Sequence, residues 1–577
     1  MRAPLVLALL ATLSCSSSGN GGAAPHGGAG ASPGGTSTSG GTAGQAPSGG
    51  RAATAGRSSG GSGRSAGGST AKGGTANDGG TANDGGSANG GTANDGGTGD
   101  AGAGEQGGEG TGHPTEAICD APDIVATDPS DRVVGDGTPE SCTETALQTA
   151  ADAGGVITFD CGAKPAVIAL TSTIVFKKET VLDGGGSITL QGNGQVRLLY
   201  FDSAYDLTTP RLTVERLTFR GGNSPAGGDD TAVGGGAIYR DGGSLSVLYC
   251  DFDDNHAPAT GQDIAGGAIY GFGGGETVIV GSTFTNNSAS DGGAVGSLNG
   301  DLTIVNSSFV GNAATGTDGN PGNGGCGGAI YMDGGDETVK FCGVTLQGNS
   351  AGAIAGGFFR VSNSDDGTAV IDRSTIDGNE VTPAGDGNAG GLYLQGLDLT
   401  ITASTISRNQ AFYNGGLWIS GRVANLTNVT IAENTAFGSN GAGLWLAHEP
   451  TGTLLNCTIA NNHSTADGQV AGAIFGQGLT LKNTLISGNT AQYTPGCDSK
   501  HESGGGNVQW PSGALCSDSP TVADPELGPL GDHGGPTETL EPAASSAASG
   551  LGTGCPPKDQ RGNARSEPCT AGAVEVN

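Results

Sequence analysis

"FTNNSASDGGAV", Phe284 to Val295, packs two short words into twelve residues. The first is an apolar residue followed three places later by Asn, and the second is Gly-Gly followed by a small or aliphatic pair. The apolar-x-x-Asn word occurs at Phe252/Asn255, Phe284/Asn287, Phe309/Asn312, Leu346/Asn349 and Ile376/Asn379. It continues at Ile406/Asn409, Ile431/Asn434, Ile459/Asn462 and Ile486/Asn489, with successive asparagines 25 to 37 residues apart. The Gly-Gly word interleaves at Gly235, Gly266, Gly292, Gly327, Gly356, Gly390 and Gly415, with weaker copies at Ala442 and Ala471.

Short alternating runs between the words read as strands. In "DLTITASTISRN", Leu399 and Ile401 share one parity, Ser404 and Ile406 the other, as a bend between two strands requires. Short strands, tight Gly/Asn turns and a repeat near 28 residues predict an all-β solenoid, a parallel β-helix in which each copy is one coil. Phe284 or Ile406 then points into the core and stacks on its counterparts. The following Asn takes a left-handed turn conformation and bonds to turn backbone or to the next Asn in the stack. Gly-Gly supplies a turn that larger residues could not make. The repeated asparagines are thus read as joints of a scaffold and not as active groups.

Interleaved apolar-x-x-Asn and Gly-Gly words, from about Leu212 to Asn489, resemble the repeats of polymorphic outer membrane proteins, β-helical surface proteins of bacteria. The resemblance implies a right-handed helix of the pectate-lyase-like superfold and display at the cell surface. Family members often end in an outer-membrane β-barrel, whereas "GAVEVN" here follows no series of long amphipathic strands. The expected anchor is N-terminal. Arg2, the apolar run Leu5 to Leu13 and Cys15 resemble a bacterial lipoprotein signal with Cys15 as the lipidated residue, although Thr12-Leu13-Ser14 departs from the usual pattern.

The organisation expected is a signal over 1–15, a disordered Gly/Ser/Ala/Thr-rich tether over 16–115, an N-terminal cap and first rungs over 116–210, the repeat-bearing β-helix over 211–495, and a C-terminal tail over 496–577. The tether has a root-mean-square reach of about 55 Å at ~5–6 Å × √n. "SCTETALQTAADAGG", Ser141 to Gly155, reads as a cap helix opened by a Ser-x-x-Glu capping box. The tail from Asp524 is expected to cover the last coil's unpaired edge.

With 24 Lys plus Arg against 56 Asp plus Glu, the net charge of −32 offers no basic stripe for a nucleic acid. Twelve cysteines in an exported chain invite disulfides. Setting Cys15 aside, near neighbours suggest Cys142–Cys161, Cys326–Cys342, Cys497–Cys516 and Cys555–Cys569. Cys119 has no evident partner, and Cys250 and Cys457 occupy a column of small residues where they should be buried and unpaired.

An enzyme reading would need carboxylates converging on a groove. The candidates are Asp251, Asp253 and Asp254 in "CDFDDN", which could hold calcium weakly, with Asp229, Asp230, Asp365 and Asp366 in Gly/Ser-rich loops and "DHGG" at Asp532. Each also suits a turn. The spacing from Asn to the next Gly-Gly varies widely, so insertions gather at one corner: Ser224 to Val233, Ala257 to Ile264, Ala313 to Cys326 and Glu380 to Ala389. The expected function is therefore binding, adhesion or a structural role at the envelope, without catalysis or an obligatory cofactor. The expected partners are an extracellular glycan or another cell surface, with a lipid holding a monomer to the outer membrane. The alternative is a polysaccharide lyase or glycoside hydrolase acting on acidic polysaccharide.

Overall fold

The structure, a computed structural model, describes residues 117–225, 233–319, 322–382, 387–438, 440–465 and 470–576. The signal, Cys15, the tether, Asp229 and Asp230 lie outside them. The chain winds as a parallel β-helix. One coil runs Thr277–Val280, a bend at Gly281, Thr283–Thr285, a turn at Asn286 and Asn287, Ser288–Ala289, a corner, Val295–Leu298, and then Leu302–Val305 of the next coil. Stacked coils build a 26-stranded sheet from the two strands before the Asn turn, a 7-stranded sheet after it, and an 11-stranded sheet after Gly-Gly.

Register shows why the words repeat. Phe252 pairs with Phe284, and Phe284 with Phe309, so identical side chains meet in the interior. The rings of Phe219, Phe252, Phe284 and Phe309 stack with centroids 4.7, 4.6 and 4.5 Å apart. Leu346, Ile376, Ile406, Ile431, Ile459 and Ile486 continue the file. Fully burying each side chain contributes on the order of 1.5–3 kcal/mol.

The asparagines stack as well. Asn287 donates from its backbone N–H (3.0 Å) and its Nδ2 (2.9 Å) to Asn312 Oδ1, and from Nδ2 to the Phe252 carbonyl (3.1 Å). Its own Oδ1 accepts from the N–H and Nδ2 of Asn255, both at 3.0 Å. The same pattern links Asn312, Asn349, Asn379, Asn409, Asn434, Asn462 and Asn489, all buried. A buried amide is stable here because its neighbours are amides too.

The left-handed residue of this turn is not the repeated Asn but the one before it: Asp254, Asn286, Gly311, Gly348, Gly378, Arg408, Glu433, Asn461 and Gly488 all have positive φ. The Asn itself keeps ordinary backbone, which leaves its amide aligned along the helix axis. A second left-handed column, including Tyr249, Gly281, Asn306, Gly343 and Arg373, makes the bend inside the large sheet.

The cap helix spans Glu144–Ala153 and buries Leu147, Ala150 and Ala151. Its N-cap is Thr143, whose hydroxyl accepts from the Ala146 N–H, so the expected Ser141–Glu144 capping box does not form. Ser141 closes a 3-10 turn instead, and Glu144 receives the N–H groups of Thr171 and Ser172 at 3.0 and 2.9 Å. A carboxylate that fastens the next loop cannot also turn back to its own N-cap.

The tail does not simply close the last coil. It runs back along the side of the large sheet, where Thr405 donates to the Glu538 carbonyl (2.5 Å), Thr430 to Gln560 (2.7 Å), and the Ala573 N–H to Thr458 (2.9 Å). The hydroxyl file Thr405, Thr430 and Thr458 supplies these bonds and is fully covered by them.

Disulfides join Cys142–Cys161, Cys497–Cys516 and Cys555–Cys569, while Cys250 and Cys457 are buried free thiols. Cys326–Cys342 is not formed, because Cys342 is bonded to Cys119, 223 residues away. Cys326 sits against the outer face of the 11-stranded sheet beside Tyr331 and Ile354, whereas Cys342 ends a strand of the large sheet. Sixteen residues of sequence separate the two by half a coil.

Candidate functional site

Insertions accumulate between the 7- and 11-stranded sheets, and the structure brings the loops of successive coils together there. Ser290 Oγ donates to the Gly261 carbonyl at 2.7 Å and lies 3.0 Å from the Asn323 carbonyl. Thr315 Oγ1 reaches the Ala259 carbonyl at 2.9 Å. The loops of 257–264 and 313–326 therefore form one surface.

Beneath them lies the outer face of the 11-stranded sheet. Alternation sends Ile238, Ile269, Val295 and Ile330 inward and places Tyr239, Tyr270, Gly296 and Tyr331 on the opposite face. That outer file continues as Phe359, Tyr393, Trp418, Trp445 and Phe475, with Tyr393 and Trp418 rings stacked at 3.9 Å. At its upper end the Arg197 guanidinium stands 4.7 Å from the Tyr239 ring centroid and donates to Ser224 Oγ (3.1 Å) and the Gly234 carbonyl (2.9 Å). Burial lowers its pKa to about 10, so it remains a cation at neutral pH.

Gly296 interrupts the aromatic file, and polar groups gather beside the break. Tyr331 hydroxyl lies 2.9 Å from Asp263 Oδ1 and 3.1 Å from Asp333 Oδ2, and Asn363 Nδ2 donates to Asp333 Oδ1 at 2.8 Å. Asp291 Oδ1 accepts the Cys326 N–H at 2.9 Å, while Asp291 Oδ2 and the Tyr270 hydroxyl are buried without a hydrogen-bond partner. Burial, reinforced by the charges of Asp263 and Asp333, pushes the Asp291 carboxyl well above the usual carboxylate range. Burial and the same carboxylates push the Tyr270 phenol up.

Carboxyl and phenol groups of this kind can exchange protons or hold a cation. Here they are shut in. Asp291, Asp333, Tyr270 and Tyr331 are each 0% exposed. Gly324 closes directly over Asp291, where a Cβ would stand 2.8 Å from Oδ2. What faces solvent is the backbone and small polar side chains of the loops.

Among the described residues, the carboxylates named from sequence do not converge. Asp251 accepts from Thr283 at 2.5 Å, Asp253 pairs with Arg220 (3.1 Å) and Thr285 (3.0 Å), and Asp254 lies 3.0 Å from His256 Nε2. Among the described residues, the only three His, Cys, Asp or Glu donors within 4.8 Å of one another are Cys119, Cys342 and Asp372, and both sulfurs are in a disulfide. Asp366 accepts from Ser364, and the Asp365 carbonyl accepts from Arg422. His533 lies with Glu526, Glu541 and Arg561 along a cleft of about 500 Å³ within the tail.

Sequence reasoning missed Asp291, Asp333, Tyr270 and Tyr331. A signal for Asp291 was present: its column holds Ala265 on one side and Cys326, then Ile354, on the other, so a carboxylate there is out of pattern.

A family model described as "Right handed beta helix region" matches residues 326–509. Among solved structures, the chain resembles the mannuronan C-5 epimerase AlgE4 A-module of Azotobacter vinelandii at 14% identity and a TM-score of 0.30, covering 64% of this chain and 99% of that one. It resembles pectate lyase Pel9A at 16% identity and a TM-score of 0.36, covering 78% and 97%. It resembles PfbA, a surface adhesin of Streptococcus pneumoniae, at 11% identity and a TM-score of 0.27, covering 70% and 97%. No curated protein matches the sequence. Likenesses this distant carry no argument about function.

Proposed function

We propose that this chain is an exported, surface-displayed β-helix of the bacterial envelope that acts through contact, binding a glycan or another cell surface at the corner formed by its loops. The supporting observation is that loops of variable length pack on one another at that corner and seal the Asp291 and Asp333 carboxyls beneath them. An adhesive surface needs such an exposed polar rim, and a polymer-cleaving site would need the sealed groups to be open. Lipid on Cys15 would hold the monomer to the outer membrane through the Gly-rich tether.

One observation favours a second reading, a lyase or hydrolase of acidic polysaccharide. Burial raises the Asp291 carboxyl well above the usual carboxylate range, the direction in which the pKa of a general acid is shifted. That chemistry would require the 313–326 loop to lift.

Incubation with pectin, alginate and glycosaminoglycan, with and without calcium, separates the two. The contact reading expects retention on a glycan or cell surface with chain length unchanged. Chain cleavage that disappears in Asp291→Asn would establish the enzyme. Metabolic labelling with palmitate, lost in Cys15→Ala, tests the anchor.

A further inference from the structure

The Cys119–Cys342 disulfide closes a segment that the β-helix does not need for its own winding. Residues 117–127 run outside the coils, along the bend of the large sheet, crossing it from the coil of Cys342 to that of Asp183. At one end Asn306 holds the segment as a strand would: its Oδ1 accepts the N–H groups of Ile118 (3.1 Å) and Cys119 (2.9 Å), and its Nδ2 donates to the Cys119 carbonyl (2.8 Å). Arg373 donates to the Ile118 carbonyl at 2.8 Å. Cys119 packs among Leu248, Val280 and Val305 of three successive coils. At the other end the Val125 N–H donates to Glu215 at 2.9 Å and Thr127 to Asp183 at 2.7 Å. Only after this does the chain enter its first strand, Arg132–Gly135.

We infer that this strap is a mechanical latch: it moves the point where tension from the N-terminal segment enters the β-helix from the first coil to the coil of Cys342. In a solenoid each coil bonds only to its neighbours. Tension on the first coil would peel coils singly, a few hydrogen bonds at a time. With the disulfide in place, the chain between Cys119 and Cys342 is a closed loop that an end-to-end pull cannot lengthen. Tension instead reaches the middle of the stack. The benefit to an anchored adhesin rests on the N-terminal attachment proposed above, but the latch does not, because handles placed on the purified chain supply the pull themselves.

Single-molecule pulling of the chain between its N and C termini tests it, in a Cys326→Ser background for every arm, because Cys326 is itself disulfide-bonded and would otherwise close a second loop. The 223 residues enclosed by the disulfide would add about 800 Å at ~3.6 Å per residue if they could extend. The oxidised wild type is expected to stop short of full extension by that amount. Cys119→Ser should recover it in early, low-force steps of about 90–130 Å, one per coil of 25–37 residues. Wild-type protein folded and then reduced serves as the second arm, independent of how the variant folds. Its other three described disulfides enclose only 19, 19 and 14 residues and release far less length. The latch is refuted if the variant and the reduced protein give first ruptures at the oxidised wild type's force, or if the recovered length appears last.

Discussion

Asn287 and Asp291 lie four residues apart in one coil and are both fully buried, yet they stand in opposite relations to their surroundings. Asn287 meets an identical group above and below, and its donors and acceptor are filled by them. Asp291 meets Ala265 on one side and Cys326 on the other, and one of its oxygens has no hydrogen-bond partner. The first corner is the same in every coil because a stack of amides works only if each coil contributes one. The second tolerates any length because its loops bond mainly to each other. In a solenoid, regularity marks what holds the fold, and departure from a column marks where something else has been selected or permitted.

The largest losses of stability are expected at the regular corner. Phe284→Ala should lose about 3–5 kcal/mol, since the rings of Phe252 and Phe309 cannot both close on the gap. Urea unfolding followed by circular dichroism reads this, and a loss below about 1 kcal/mol would mean the stack carries little of the stability. Asn312→Ala follows at about 2–4 kcal/mol, because it strands the buried N–H of Asn287 and takes one bond each from Asn287 Nδ2 and Asn349 Oδ1.

At the variable corner the effects are smaller and depend on pH. The folded pKa of Asp291 is raised, so the unfolded chain gives up this proton first as pH rises. Stability contributed by the protonated group is present below the ordinary carboxylate range and is lost as pH climbs toward the folded value. The loss is about 1.4 kcal/mol per pH unit within that window. Asp291→Asn should match the wild type near pH 4 and exceed it increasingly toward neutral pH in thermal unfolding. Parallel curves would mean that Asp291 is ionised in the folded protein. The smallest effect is expected from removing residues 317–324. Gly316 and Gly325 both donate to the Ser290 carbonyl, at 3.1 and 2.9 Å, so the cut ends already meet, and stability should change by less than about 1 kcal/mol.

Much of this was legible in the sequence, for a physical reason. Side chains that stack on copies of themselves must recur at the coil period, so Phe284, Asn287 and their partners announce the fold. The left-handed position before each Asn was not legible, because Asp254, Gly311, Arg408 and Glu433 share a backbone shape without a shared side chain. Thr143 took the cap from Ser141 because Glu144 is engaged by Thr171 and Ser172. The bond from Cys119 to Cys342 and the path of the tail cross many coils, and nothing periodic records such contacts. Asp291 was visible in the stretch "SASD" but reads as a short loop until its column is known.

If one corner holds the fold while the other makes contact, the two roles separate in a single deletion. Attachment to glycan- or cell-coated surfaces is measured for the chain displayed on beads with and without residues 317–324, alongside thermal unfolding. Attachment is expected to be lost while the unfolding midpoint stays within a few degrees. Attachment that survives the deletion, or glycan chains shortened by the wild-type protein, would contradict that division of roles.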